Sequence, residues 1–197
     1  MNLRITTLLL AAGLMASCSE TNKEINDASD VRELASEDTA VMFQDIDEEF
    51  WGNVDFESPA IEDAEMTEQG IEVRGNTNGY NIYAMDERIL FDLDKAELRE
   101  GADEKLRSIA ESINEVSDQG PIRIFGFTDS IASEAYNEQL AAQRANTVKD
   151  WLQNNTDIDA SRLSIQAVGE GRPRATNETA RGRQLNRRVA VVVATKR

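Results

Sequence analysis

Histidine is absent from the 197 residues of this chain. That removes the commonest general base, the commonest metal ligand and every Ser-His or Cys-His nucleophile pair. Cysteine occurs once, at Cys18, so no disulfide can form within the chain. Bases are few: 21 against 37 acids, a formal charge of −16. A nucleic-acid partner would need a basic surface, so none is expected. Long apolar runs are missing too, and no repeat of solenoid type is present. Nothing in the composition calls for a cofactor or a metal ion.

The N-terminus explains the single cysteine. In "MNLRITTLLLAAGLMAS" Arg4 supplies a positive start, Leu8 to Met15 a short apolar stretch, and Ala16 and Ser17 small residues before Cys18. The stretch is too short to span a bilayer comfortably and reads as a signal peptide, residues 1–17. A signal ending at a lone cysteine resembles the bacterial lipoprotein signal, with Met15 standing where an aliphatic residue is usual. That resemblance implies lipidation of Cys18 and a membrane partner, held at about 0.8 kcal/mol per buried methylene. An ordinary secretory signal with an incidental cysteine is the alternative.

Charge divides the rest. From Cys18 to Asn81 there are 18 acids and 3 bases, net −15; from Ile82 to Arg197 there are 19 acids and 17 bases, net −2. Residues 18–70 therefore read as a disordered acidic tether that buries too little surface to fold. Its cluster Phe50, Trp51 and Phe56 either docks on the domain or a partner, or forms only transient structure.

Residues 71–197 carry the periodic patterns of one domain. Two alternating runs flank "GNTNG" (Gly75 to Gly79), a hairpin signal. "RILF" (88–91) reads as a strand. Ala102, Leu106, Ile109, Ile113 and Val116 form one helical face, stopped by Gly120 and Pro121. "IRIFGF" is a strand, Ser133 to Asn154 a helix with Ala141, Ala145, Val148 and Leu152 inward, and "LSIQAVG" (163–169) a strand. A Gly/Pro/Arg-rich loop follows, and "RRVAVVVA" reads as a central strand because its apolar run is continuous. Strands alternating with helices imply an α/β two-layer sandwich: a mixed sheet with helices packed on it, in the order βαβαβ-β.

The blocks "ILFDLDKAEL" (89–98), "GFTDS" (126–130), "YNEQLAAQRANTVKDWL" (136–152), "RLSIQAVGEGRPRATN" (162–177) and "GRQLNRRV" (182–189) resemble the OmpA C-terminal domain family, of the peptidoglycan-associated lipoprotein type. The match covers about residues 80 to 197. The resemblance implies noncovalent binding of cell-wall peptidoglycan through the diaminopimelate of its stem peptide, in a chain that links outer membrane to wall with its domain facing the periplasm. It implies that Asp129 and Arg144 hold that residue, that Asn137 adds a polar contact, and that Asp92, Thr128, Asn186 and Arg187 line the same groove. Two departures stand out. Phe127 replaces the family's frequent histidine, and Ile131-Ala132 replaces a frequent Thr-Gly.

The chemistry is consistent with this. The end of diaminopimelate carries an ammonium and a carboxylate on one carbon, so its site needs an acid and a base converging on one pocket. A planar guanidinium suits the carboxylate because it binds bidentately. Asn137 and Arg144, two helical turns apart, share a face. In the competing reading Asp129 caps the second helix and Arg144 is a surface arginine. Two other functions stay open. A wall-acting enzyme would need a carboxylate pair such as Asp92 and Asp94, although Asp94 reads more simply as a helix cap. An adaptor would recruit an envelope protein through the acidic tether or the Trp51 cluster.

Overall fold

The computed structural model describes residues 48–76 and 79–195. The signal segment, Cys18, residues 18–47 and the tip of "GNTNG" lie outside the described residues. Five strands form one mixed sheet: β1 (Ile71–Asn76), β2 (Tyr80–Asp86), β3 (Ile122–Phe127), β4 (Leu163–Gly169) and β5 (Arg188–Ala194), in the spatial order β1-β2-β5-β3-β4. β1, β2, β5 and β3 pair antiparallel in turn, and β3 pairs parallel with β4. The helices α1 (Glu48–Gly52), α2 (Ala64–Glu68), α3 (Glu87–Leu90), α4 (Ala102–Val116), α5 (Glu134–Asn155) and α6 (Ala180–Asn186) complete the fold.

β5 is central, as its composition demands. Val189, Val191 and Val193 pack with Leu106 and Ile109 of α4 and Val148 of α5. Ala190 and Val192 face the other way, into a second cluster with Trp51, Val54, Tyr80, Ile82, Phe125 and Phe127. A strand buried on both faces needs no polar alternation. Each large aliphatic side chain so buried contributes about 1.5–3 kcal/mol.

That second cluster revises the expected boundary at residue 71. Residues 48–58 lie as a strap over the sheet face opposite the helices. Trp51 is 3% exposed, and the Phe56 ring meets Phe125 and Phe127 edge-on at 5.1 Å. Acids that looked like tether charge hold it down. Glu48 takes two hydrogen bonds of 2.8 Å from the Arg123 guanidinium, which also lies 4.8 Å from the Trp51 ring. Arg172 reaches the Gly52 carbonyl at 2.9 Å.

Four other expectations change. "RILF" is not a strand. Asp86 caps a single helical turn by accepting from the Arg88 N–H, and consecutive Leu90 and Phe91 are both buried, which a half-buried alternating strand does not allow. Asp94 caps no helix: α4 starts at Ala102 behind Gly101, whose φ of 81° suits only glycine readily. The Gly/Pro/Arg-rich loop contains α6, capped by Thr179 on the Gly182 N–H. Val116, at the last turn of α4, is 37% exposed rather than part of the inward face.

Candidate ligand-binding cleft

Sheet register gathers the site. β5 is antiparallel to both neighbours, with Asp86 opposite Arg188 and Gly126 opposite Val189. The end of β2, the start of β5 and the end of β3 therefore meet at one end of the sheet. Glu87 follows β2, Arg187 precedes β5, and Thr128 and Asp129 follow β3. The Glu87 N–H donates to the Arg187 carbonyl at 3.0 Å. α5 is laid against this end. A Cβ at Gly126 would collide with the carbonyl oxygen of Ala141, so the glycine of "GFTDS" is what lets the helix approach. That approach brings Asn137, Leu140 and Arg144 beside the strand end.

The result is a cleft of about 460 Å³ lined by Glu87, Asp94, Asp129, Arg144, Arg187 and Asn137, with Thr128 and Leu140. Leu93, Ile131 and Tyr136 also line it and are exposed large apolar side chains, at 77%, 72% and 47%.

Arg144 is not a surface arginine; it is 1% exposed. Its Nε donates to the Lys95 carbonyl at 3.0 Å, and its guanidinium lies 5.4 Å from the Phe91 ring. Its Nη1 is 2.6 Å from Glu87 Oε2, an ion pair by distance that misses hydrogen-bond alignment. Its Nη2 has no hydrogen-bond partner among the described residues. Glu87 is 3% exposed and also takes the Arg187 Nε. Arg187 Nη1 in turn donates to Asp129 Oδ2 at 2.6 Å. Asp129, Arg187, Glu87 and Arg144 thus form a row of alternating charge. Burial opposes the Arg187 charge, but the Asp129 and Glu87 carboxylates outweigh it and hold the guanidinium's pKa above its ordinary value.

Asp129 does not cap α5. The cap is Ser133, whose hydroxyl accepts from the Tyr136 N–H. Asp129 Oδ1 instead accepts from Ile131 N–H at 3.1 Å, a local turn that holds the carboxylate at the cleft wall. Asn137 fastens the same turn: its Nδ2 reaches the Asp129 carbonyl at 2.9 Å and Glu170 Oε2 at 2.7 Å.

Five of the expected groove residues, Asp129, Arg144, Asn137, Thr128 and Arg187, line the cleft together, and two do not. Asp92 is exposed and lies 3.5 Å from Lys95, while Asp94, with φ of 56°, lines the cleft. Asn186 is fully buried. It accepts from the Arg174 and Ala175 N–H groups at 2.8 Å and donates to the Ala175 carbonyl and Asn177 Oδ1. Its polar atoms fasten the 172–177 loop and place Arg187 next door. Glu87 was absent from the expectations.

Known proteins share this framework. The OmpA family model matches residues 90–187. The outer membrane porin F of Pseudomonas aeruginosa is 35% identical over 53% of this chain, although the match spans only 30% of that porin. The outer-membrane lipoprotein YfiB of the same species is 32% identical, over 66% of this chain and 74% of YfiB. Among solved structures, the cell wall anchor of the type VI secretion system from Pseudomonas aeruginosa superposes with a TM-score of 0.59 at 29% identity, covering 67% of this chain and 92% of that one. The chain belongs to the OmpA family.

Proposed function

We propose that this is a lipid-anchored outer-membrane protein that binds peptidoglycan without catalysis, gripping the diaminopimelate end of a stem peptide and so linking membrane to wall. The observation that carries the reading is the buried Arg144 guanidinium, which lines the cleft with an Nη2 that no described residue satisfies. A buried unsatisfied donor is costly, and a ligand carboxylate offsets that cost with a charge-assisted hydrogen bond. Asp129, which also lines the cleft, takes the ligand ammonium and shares its carboxylate with Arg187. Thr128 Oγ1, also buried without a partner among the described residues, supplies a further contact. The names of relatives support the setting: an outer-membrane lipoprotein and a cell wall anchor.

The test is sedimentation with purified sacculi, assayed together for release of soluble muropeptides. Binding without release is expected. Release would make the protein an enzyme, and failure to sediment would remove the wall as its ligand.

A further inference from the structure

One contact of the strap with the frame of the cleft runs through Phe56. Phe56 meets the Phe127 ring at 5.1 Å and 81°, and Phe127 carries the Arg188 guanidinium 3.8 Å from its ring centroid. Phe127 is two residues before Asp129, and Arg188 directly follows Arg187. The contact therefore joins the two backbone segments that present the Asp129–Arg187 pair. Arg188 is 6% exposed, and no carboxylate pairs with it among the described residues; its Nη atoms donate to the Asn186 and Arg172 carbonyls at 3.2 Å. Burial first, and Arg174 second, pull its pKa down to about 10. A charge so poorly compensated depends on the ring beside it. Locally, β3 has a register shift at Gly126/Phe127, beyond which Phe127 pairs with Gly169.

We propose that Phe56 is a positioning residue for the cleft: by holding Phe127 against Arg188, the docked strap sets the separation of Asp129 and Arg187 and hence the affinity of the site. This rests on the cleft being the ligand site proposed above. Trp51 provides the contrast. It is the more deeply buried strap residue and meets Phe125, at 6.4 Å, with no ring contact to Phe127. Phe56 is half-buried, so its loss costs folding less.

The experiment compares wild type, Phe56→Ala, Phe56→Tyr and Trp51→Ala in the full chain. Each is titrated with the tripeptide L-Ala-γ-D-Glu-meso-diaminopimelate below its measured melting transition. Phe56→Ala should bind roughly three- to thirty-fold more weakly and Phe56→Tyr like wild type. Trp51→Ala should melt earlier than Phe56→Ala yet bind better. A ligand-free readout runs alongside: amide exchange at Thr128, bonded to the Gly169 carbonyl, and at Ile131, bonded to Asp129. It should quicken in Phe56→Ala and not in Trp51→Ala. If wild type ignores the tripeptide, the proposed ligand is wrong, and the exchange result still decides the brace. If Phe56→Ala matches wild type in exchange, or Trp51→Ala loses as much binding, the brace is refuted.

Discussion

Glu87 and Arg144 face each other at 2.6 Å with side chains 3% and 1% exposed, across 57 residues of sequence. A buried pair of this kind costs most when half of it is removed. Glu87→Gln would leave Arg144 and Arg187 with no shared anion. The expected loss is about 3–5 kcal/mol, read from the urea midpoint. Glu87→Leu combined with Arg144→Met should recover much of it, because apolar pairs of similar volume often replace buried ion pairs without loss. A double variant as unstable as Glu87→Gln would show that packing, not the stranded charge, is responsible.

The strap makes the folding unit longer than its charge pattern implies. A fragment 71–197 lacks Trp51 and Val54 and bares Tyr80, Ile82, Phe125 and Val192. Loss of the two strap side chains alone removes about 3–6 kcal/mol. Thermal melts should therefore place 71–197 well below 48–197, and only the shorter fragment should bind a hydrophobic dye. Equal melting of the two would mean that the strap adds nothing.

Much of this fold was readable because its signals are local. The "VAVVVA" run could only be a strand covered on both faces, and Ala141, Ala145, Val148 and Leu152 mark one side of a helix over about three turns. Asp129 and Arg144 were visible as a strand-end acid and a helix arginine. Glu87 was not, because its burial depends on Arg144 and on Arg187, which is 100 residues away, and acids are ordinarily exposed. The strap was hidden for a similar reason. "EEFWGNVDF" is locally acidic, and its docking rests on tertiary contacts, with Arg123 on Glu48 and Arg172 on the Gly52 carbonyl.

Acid should loosen the contact between β1 and the loop that carries Arg174. The hydrogen bonds from Arg174 chiefly, against burial and with help from Arg74, lower the Glu72 pKa. A carboxyl with a lowered folded pKa stabilises above its unfolded value, near 4.5, and loses that contribution as pH falls through the folded pKa. Glu72 is about a third exposed, so solvent screening limits the effect to about 1 kcal/mol or less. Melting temperature should fall below pH 4.5 more steeply in wild type than in Glu72→Gln. Parallel curves would remove Glu72 from the acid response.

Cys18 should carry the membrane anchor. Metabolic labelling with a fatty acid should mark the wild type and not Cys18→Ser, which should accumulate as unprocessed precursor. An unlabelled wild type would leave an ordinary secretory signal.

The central claim, that Asp129 and Arg144 hold the two charges of one zwitterion, is tested most directly at Asp129. Asp129→Asn keeps the shape and the acceptor for the Ile131 N–H, and Arg187 retains Glu87. Isothermal titration with the meso-diaminopimelate tripeptide should show affinity reduced roughly ten- to over a hundred-fold, from about 1.5–3 kcal/mol for a charge-assisted bond, at a melting temperature close to wild type. Unchanged affinity in the folded variant would contradict the zwitterion clamp.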